Sequence, residues 1–305
     1  MRTGDEMHDP NFVTVVIPTK NRPDDLKKAV QSILALTTLP YELLIVDQSL
    51  NDSSKTMVHE LTKDRGDLII TYIHDATING LVAAKDFGSK IAKGSIICFL
   101  EDDVVLHPNY LEELSRGFIE FPSMIGCCGV ITNHPIRSTT SKYIFNLFHV
   151  GIFFDQRPKV FEGYEEFGDK LIPSRMLSGG LSAWRCEVFK FVPFDVESGF
   201  HLFEDIDFST RVADRYGDQL YINPLARLEH NCSQVNRDAV GPGQRRKIVE
   251  CFKFFNKRRN DRLALPSFLW LLLGLFFDSI AKSLSVRSSE PIRYYFCGIR
   301  KGISL

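Results

Sequence analysis

Three consecutive acids, Glu101, Asp102 and Asp103, directly follow an apolar run at residues 96–100. A short run of Ile, Cys, Phe and Leu between turn residues is typical of a buried strand. Adjacent carboxylates repel one another unless a cation lies between them, and hard oxygen ligands suit Mg²⁺ or Mn²⁺. The spacing predicts a divalent metal at the end of a strand, with an acidic cap on the helix after Pro108 as the alternative.

A second acidic group, Glu204, Asp205 and Asp207, opens a run with helical spacing at residues 206–215. A carboxylate held beside a hydroxyl can remove its proton, which is the role of a general base. Acids are also common in the first turn of any helix, because the helix dipole favours negative charge there. The residue types alone leave both interpretations open.

The elements that must position these acids alternate between strand-like and helical patterns over the first hundred residues. The predicted strands are 12–18, 41–47, 68–73 and 95–100, and the predicted helices are 23–36, 53–62 and 81–92. This alternation predicts an α/β fold with a doubly wound, mostly parallel sheet. Ligands of such sheets bind outside the carboxyl ends of the strands, so residues 18–22, 47–49 and 101–103 are expected to meet there.

The pattern becomes less regular after a predicted helix at residues 111–120. Residues 132–173 mix Pro, Gly and aromatic residues with weak periodicity, and long segments of this kind are often lids or binding loops. Regular structure is expected again at residues 176–192, and a strand-like run at 220–222 precedes His230.

Charge is distributed unevenly along the chain, although the net charge is only −1. Residues 1–244 carry 24 Lys and Arg against 34 Asp and Glu, whereas residues 245–305 carry 13 against 4. An acidic body with a basic tail indicates a polyanionic partner for the tail, either nucleic acid or an anionic membrane.

The tail combines a basic, Phe-containing stretch at residues 245–262 with an uncharged apolar run at 263–277. A membrane-spanning helix needs about 20 apolar residues, so this run is short for a span. We therefore predict that residues 245–281 attach to an anionic membrane surface by lying in its interface. A buried core helix or a contact in a homo-oligomer is the alternative, and the apolar run argues against nucleic acid.

The cysteines and the N-terminal residues indicate the cellular compartment in which the protein is expected. The seven cysteines include no Cys-x-x-Cys pair, which favours a reducing compartment. Residues 1–10 are polar and contain no apolar signal segment. The expectation is a cytoplasmic protein, peripheral or monotopic at the inner face of the cell membrane.

Six short motifs resemble those of the family 2 glycosyltransferases, which have the GT-A fold. They are residues 16–22, 44–49, 79–88, 99–103, 178–180 with 184–185, and 203–208 with Arg211. They occur in the family's order and span residues 12–230, about three-quarters of the chain. The resemblance implies an inverting enzyme that moves a sugar from a UDP- or dTDP-sugar to a hydroxyl of a glycan or lipid-linked acceptor, in cell-surface polysaccharide synthesis.

The resemblance also assigns roles to residues. Asp205 is expected to be the catalytic base, and Glu101, Asp103 and His230 are expected to hold Mn²⁺ or Mg²⁺. The residues expected to bind the nucleotide-sugar donor are Pro18, Thr19, Asn21, Arg22, Asp47, Gln48, Gly80, Lys85 and Asp102. The residues expected to bind the acceptor are Gly179, Gly180, Trp184 and Glu204.

Several of these assignments have simpler alternatives. Asp47 would accept a hydrogen bond from the ring N–H of uracil or thymine, but an Asp after a strand is also a common turn residue. Gln48 replaces the second acid that most relatives carry. Lys85 stands where many relatives have Arg and could approach the donor phosphates, or it could be an exposed helix lysine. His230 could be structural.

These patterns divide the chain into a GT-A domain at residues 1–240 and a helical C-terminal segment at 241–305 for membrane association or packing. The nucleotide-sugar half is predicted at about 10–110 and the acceptor half at about 111–240. A rival enzyme class, the sugar-phosphate nucleotidyltransferases, normally has a Gly-rich loop after the first strand, and residues 19–23 contain no glycine. A non-catalytic nucleotide-sugar-binding scaffold is disfavoured because both acidic groups are retained.

Overall fold

The structure is a computed structural model that describes residues 12–233, 235 and 238–305. Over these residues the chain forms nine strands, ten α-helices and three short 3-10 helices. The strands are β1 (Val13–Thr19), β2 (Glu42–Asp47), β3 (Ile69–His74), β4 (Ile96–Leu100), β5 (Val104–Leu106), β6 (Gly126–Ile131), β7 (Ile172–Ser174), β8 (Leu181–Arg185) and β9 (Leu220–His230).

The helices alternate with the strands in the first half of the chain and follow them in the second. They are α1 (Pro23–Leu34), α2 (Ser53–Thr62), α3 (Leu81–Ile91), α4 (Tyr110–Glu120), α5 (Thr139–Phe148), α6 (Val188–Phe191), α7 (Glu204–Tyr216), α8 (Val240–Arg258), α9 (Ala264–Ser285) and α10 (Glu290–Ile303). The 3-10 helices are Gly151–Phe153, Arg157–Val160 and Tyr164–Phe167.

All nine strands join one sheet in the order β3-β2-β1-β4-β8-β6-β9-β5, with β7 paired to β9. The four strands β3, β2, β1 and β4 are parallel, which confirms the predicted doubly wound α/β arrangement. Beyond β4 the sheet is mixed, because β8 runs antiparallel to both β4 and β6 while β6 and β9 are parallel. The carboxyl ends of β1, β2 and β4 therefore lie at the same edge.

The parallel strands are apolar because helices cover both faces of the sheet. Every residue of β1, β2 and β4 is buried. Helix α1 presents Leu26, Val30 and Ile33 to this core at helical spacing. Helix α3 approaches β1 so closely that a Cβ on Gly88 would lie 2.6 Å from Val16 Cγ1, so glycine permits this packing.

Two regions differ from the sequence-based prediction. Residues 132–173 contain α5 and the three 3-10 helices rather than a long irregular loop. Helix α5 was not predicted, because the Pro and Gly residues on either side of it mask the helical spacing of its apolar residues. Strand β9 continues to His230 instead of ending at residue 222, because Pro224 interrupts the apolar pattern at a register shift without ending the pairing.

The chain divides into two compact units. The first comprises Met1–His134, Gln156–Gly199 and Glu204–Val235, and its described part contains the whole sheet. The second comprises Pro135–Asp155, Phe200–Phe203 and Asn236–Leu305, and it contains α5 and α8 to α10. A boundary between functional domains at residue 240 remains a prediction.

Aromatic contacts organise the second unit. Phe268 of α9 stacks on Phe255 of α8 at a centroid distance of 4.4 Å and meets Phe252 edge-on at 4.8 Å. The Trp270 indole N–H donates to the Leu147 carbonyl at 2.7 Å, which ties α9 to α5. Among the described helices, α9 alone has the length and apolar composition to cross a membrane, and a third of its most apolar stretch is buried.

Candidate functional site

The carboxyl ends of β1 and β4 meet through hydrogen bonds. The Thr19 hydroxyl donates to Asp102 Oδ2 at 2.7 Å, and Arg22 Nη1 donates to Asp102 Oδ1 at 3.0 Å. Arg22 Nη2 also donates to the Val235 carbonyl at 2.6 Å, which joins the loop after β1 to the segment after β9. Burial raises the pKa of Asp102 to about 6, although Thr19 and Arg22 stabilise its charged form.

Glu101, Asp103 and His230 form a compact group at this edge. The pairing of β5 with β9 sets Val104 opposite His230, so the imidazole faces the acids that precede β5. His230 Nε2 lies 2.9 Å from Glu101 Oε2 and 3.1 Å from Asp103 Oδ1. One ligand atom from each of the three residues lies within 4.8 Å of the other two.

This donor set fits a divalent metal ion. Two carboxylates and an imidazole are ordinary ligands for Mn²⁺, and a third to half of a coordination shell would remain for water or substrate oxygens. Asp103 Oδ1 is buried and faces His230 Nε2 at 3.1 Å, so a cation bound between them would take the place of the proton that the two groups share. Asp103 Oδ2 is fixed by the Ser233 backbone N–H at 2.7 Å.

The same three residues perturb one another's protonation. Burial alone would lower the pKa of His230, but its bonds to Asp103 and Glu101 raise that pKa to about 10. Burial alone would raise the pKa of Asp103, but hydrogen bonds from His230 and the Ser233 N–H, with the charge of Arg22, lower it to about 2. A metal ion bound here would replace the proton on His230.

The residues expected to bind the nucleotide base lie together near the end of β2. Asp47 is fully buried; its Oδ1 accepts from the Ser49 N–H at 2.9 Å and its Oδ2 from the Tyr72 hydroxyl at 2.6 Å. Gln48 Oε1 accepts from the Gly80 N–H at 2.8 Å. The Asp47 carboxylate therefore makes two hydrogen bonds inside the fold.

Two further residues that were expected to bind the donor shape the loop after β1. Pro18 is paired with Val46 in the ladder between β1 and β2. Asn21 has a φ of +56°, a left-handed conformation that Asn tolerates better than most residues. Its N–H donates to Ser49 Oγ at 2.7 Å, which connects the loops that follow β1 and β2.

Lys85 is buried, so its interpretation as an exposed helix lysine is wrong. The side chain is 2% exposed, and Nζ lies 2.6 Å from Glu204 Oε1 and 2.9 Å from the Gly179 carbonyl. Burial raises the pKa of Glu204, against the attraction of Lys85. A Cβ on Gly179 would lie 2.3 Å from Glu204 Oε1, so this position has room only for glycine.

Asp205 adjoins this pair and is held by a different cation. Arg157 Nη1 lies 3.0 Å from Asp205 Oδ1 and 3.1 Å from Oδ2. The N–H of Ile206 donates to Oδ1 at 2.8 Å, and the N–H of Gly179 donates to Oδ2 over a longer 3.4 Å. Two neighbouring acids at the start of α7 are thus neutralised separately, Glu204 by Lys85 and Asp205 by Arg157.

The remaining acceptor-side residues differ in what they contact. Gly180 leaves room for the acid at the metal group, because a Cβ there would lie 2.4 Å from Glu101 Oε1. Trp184 is 2% exposed, donates from Nε1 to Ser182 Oγ at 2.9 Å and packs edge-on against Phe208. Its contacts in the structure are core contacts.

Sequence reasoning did not identify Arg157, Tyr72 or Ser233. Arg157 lies in the region without a clear pattern, and Tyr72 reads as one more aromatic residue of a strand. Ser233 contributes its backbone N–H, a group that every residue except proline has, so its residue type gives no signal of this role. Each partner is distant in sequence from the acid it contacts, by 48, 25 and 130 positions.

Comparison with known proteins identifies the family. The family model described as glycosyl transferase family 2 matches residues 14–190, more than half of the chain. The chain belongs to glycosyl transferase family 2. The match covers β2, β3, β4 and all but the first residue of β1, together with the acids at residues 101–103 and the glycines at 179 and 180.

Individual relatives of this family 2 member match it over limited regions. Glycosyltransferase GlyA of Streptococcus pneumoniae serotype 4 is 24% identical over 60% of this chain and 26% of its own length. Poly(ribitol-phosphate) beta-N-acetylglucosaminyltransferase TarP of Staphylococcus aureus is 31% identical over 33% of this chain and 31% of its own length. The chain thus spans about a quarter to a third of these curated relatives.

Solved structures confirm the fold of this family 2 member. The mannosyltransferase PcManGT from Pyrobaculum calidifontis, in complex with GDP-Man and Mn²⁺, superposes with a TM-score of 0.59 at 16% identity. That match covers 97% of this chain and 77% of the other. TarS of S. aureus superposes with a TM-score of 0.54 at 14% identity over 87% of this chain and 43% of its own. The predicted GT-A fold is therefore confirmed.

Proposed function

We propose that the protein is an inverting, metal-dependent glycosyltransferase that moves a sugar from a nucleoside-diphosphate donor to a hydroxyl acceptor. The observation that carries this proposal is the group of Glu101, Asp103 and His230 at the carboxyl ends of the parallel strands. Such edges bind ligands in open α/β sheets, and the donor set fits a divalent ion. Membership of family 2 supplies the reaction class.

Each half of the site has a part in this reaction. Glu101, Asp103 and His230 would hold Mn²⁺ or Mg²⁺, which when bound neutralises charge on the departing diphosphate. Thr19 and Arg22 orient Asp102 on the donor side. The acceptor oxygen attacks the anomeric carbon as the bond to the diphosphate breaks, and the hydroxyl proton passes to Asp205. Glu204 is the alternative proton acceptor.

The donor is proposed to be a UDP- or dTDP-sugar. Asp47 supports this because each carboxylate oxygen can accept two hydrogen bonds and each accepts one from the fold. An approaching base N–H must still reach a fully buried carboxylate, so Tyr72 or the Ser49 segment has to shift. PcManGT was solved with GDP-Man, which makes a guanosine donor the natural comparison.

The acceptor is proposed to be a glycan or a lipid-linked glycan at a membrane, in polysaccharide synthesis. TarP is named for transfer to poly(ribitol-phosphate), which supports a polymeric acceptor that offers hydroxyl groups. Leu269, Leu273 and Phe277 of α9 are 56%, 40% and 51% exposed at helical spacing, so the outer face of this helix is apolar as well as its inner face.

Basic residues accompany this apolar face. Arg259 and Arg262 precede α9 and Arg287 follows it, all three exposed. Exposed apolar side chains with cations at both ends of a helix suit an element lying in the interface of an anionic membrane. We propose that residues 245–281 bind the inner face of the cell membrane in this way.

Donor binding by the full-length protein tests the proposed function. Isothermal calorimetry would compare UDP, dTDP and GDP, each with Mn²⁺ and each with EDTA. We expect UDP or dTDP to bind in the presence of Mn²⁺ and to bind far more weakly with EDTA. Binding of none of the three, or equal binding with and without metal, would contradict the proposal.

A further inference from the structure

The Asp205 side chain is 11% exposed, and N–H groups of Arg157, Ile206 and Gly179 contact its two carboxylate oxygens. Its two oxygens offer about four lone-pair positions. In the described part of the chain, Oδ1 accepts from Arg157 Nη1 and the Ile206 N–H, and Oδ2 accepts from Arg157 Nη1 and the Gly179 N–H. Because Arg157 Nη1 bridges both oxygens of this largely buried carboxylate, a hydroxyl or water that is to give its proton to Asp205 gains access where the guanidinium now lies.

The three donor groups differ in how readily they can leave. Ile206 lies in the first turn of α7, and Gly179 is held beside the buried pair of Lys85 and Glu204, so both backbone N–H groups are fixed. Arg157 reaches Asp205 through a flexible side chain that is 28% exposed. Rotation about side-chain bonds can remove this donor without any change in the backbone.

The backbone that carries Arg157 is itself anchored. The neighbouring Gln156 accepts hydrogen bonds through Oε1 from Ser174 Oγ at 3.0 Å and from the Arg175 N–H at 2.7 Å. These bonds tie the start of the 3-10 helix Arg157–Val160 to the end of β7. The guanidinium is therefore placed on Asp205 by fixed structure, and only its side chain has to move.

We propose that Arg157 is a positioning residue that keeps Asp205 closed to water until an acceptor displaces the guanidinium. The inference rests on the proposed function, with Asp205 as the base. A glycosyltransferase holding its donor without an acceptor must avoid hydrolysing it. The Arg157 guanidinium, which bridges both oxygens of the base, supplies that protection.

The side reaction that Arg157 suppresses is hydrolysis of the donor. The oxygen of a water molecule forms a bond to the anomeric carbon, and the bond from that carbon to the diphosphate oxygen breaks. The electron pair leaves with the nucleoside diphosphate, and one water proton passes to Asp205. While Arg157 bridges both oxygens, it keeps the water away from the carboxylate that would receive that proton.

Donor hydrolysis by the full-length protein, without acceptor and with Mn²⁺, tests the inference. The probe is UDP-glucose or whichever UDP-, dTDP- or GDP-sugar binds most tightly by calorimetry, and nucleoside diphosphate release is measured. We expect Arg157→Ala and Arg157→Gln to raise the hydrolysis rate about tenfold, which corresponds to about 1.4 kcal/mol. Arg157→Lys, which keeps a cation, is expected to stay near the wild-type rate.

Two further variants separate this role from a structural one. Arg175→Ala removes a nearby, half-exposed arginine that pairs with Asp214 and Asp218 instead of Asp205, and it should leave hydrolysis unchanged. Adding Asp205→Asn to Arg157→Ala should abolish the increase.

The outcomes distinguish the inference from the proposed function. Variants that bind donor normally but hydrolyse it no faster than wild type overturn the role of Arg157, because a merely structural residue would not suppress a reaction. An unchanged increase in the double variant overturns it too, since the effect would not act through Asp205. A wild-type protein that binds no sugar nucleotide overturns the proposed function itself.

Discussion

Lys85 and Glu204 form a buried ion pair, with Nζ 2.6 Å from Oε1 and side chains only 2% and 8% exposed. The pair joins α3, which follows the donor-side strands, to the start of α7, which carries Asp205. Glu204 Oε2 has no hydrogen-bond partner among the described residues, so Lys85 is its main compensation. This contact links the two sides of the proposed site.

Removal of one member of this pair is expected to destabilise the fold. Lys85→Met leaves a buried, uncompensated carboxylate, which typically costs about 3–5 kcal/mol. Replacing both residues, as Lys85→Met with Glu204→Gln, should restore most of that loss because no buried charge remains. Urea unfolding of the two single variants and the double variant measures the coupling. Additive losses would show that the two side chains act independently.

Lys85→Met is also expected to change how the stability of the fold depends on pH. Burial raises the pKa of Glu204 above its ordinary 4.5, and Lys85 opposes that rise. A raised acid pKa gives stability that is present below about pH 4.5 and is lost as pH rises through the folded-state pKa. Without Lys85 the rise is larger, so Lys85→Met should lose more stability than wild type between pH 4.5 and pH 7. The melting temperatures of wild type and Lys85→Met would be measured across this range. Parallel curves for the two proteins would contradict the prediction, because they would show that Glu204 does not titrate there.

Asp103→Asn is expected to weaken metal-dependent donor binding while preserving the fold. The amide oxygen can still accept from the Ser233 N–H, but the charge that would hold a cation is gone. Calorimetry with Mn²⁺ and UDP or dTDP should show a large loss relative to wild type. The control Asp67→Asn removes an exposed acid that pairs with Arg65 and should bind normally. Normal Mn²⁺-dependent binding by Asp103→Asn would exclude this residue as a ligand.

Asp205→Asn is expected to reduce sugar transfer without reducing donor binding. The substitution keeps the shape of the side chain and removes its basicity, and loss of a general base typically costs about 10²–10⁴ in rate. Turnover with acceptor and calorimetry with donor would be measured on the same preparation. Near-normal turnover would reassign the base, with Glu204 the next candidate.

Polar substitutions on the outer face of α9 are expected to release the protein from membranes. Leu269→Glu with Leu273→Glu removes two exposed apolar side chains, each worth about 1.5–3 kcal/mol if fully buried in lipid. Co-sedimentation with vesicles containing anionic phosphatidylglycerol should fall, while donor binding persists. Leu50→Glu, at a leucine that is 86% exposed elsewhere, is the matched control.

Salt should weaken the membrane association only in part, because screening acts on the basic residues and leaves the apolar face unaffected. If the wild-type protein failed to co-sediment with these vesicles at low salt, the membrane proposal would be wrong. The outer face of α9 would then be a surface for packing or self-association.

The sequence by itself determined the α/β class and the alternation of strands and helices that builds the parallel half of the sheet. Periodicity is a local property, so β1, β2, α2 and β4 could be placed within a residue or two. The acids at residues 101–103 and at 204–205 were also evident, because their types and positions after a strand and before a helix are local features. Helix α5 was missed although its apolar residues have helical spacing, because the segment around it is rich in Pro, Gly and aromatic residues.

Only the tertiary structure decided which charge meets which. Lys85 pairs with Glu204 across 119 positions, and Arg157 with Asp205 across 48. The family resemblance had already grouped His230 with Glu101 and Asp103, and the structure supplies the physical reason, because β5 and β9 are neighbours in the sheet. Such pairs form because elements that are distant in sequence pack side by side in the fold. The type of a residue does not show which distant element it will contact. The burial of a residue likewise depends on the tertiary structure. Lys85 could have been a surface lysine by its sequence, but in the fold it is the counter-ion of the buried acid Glu204.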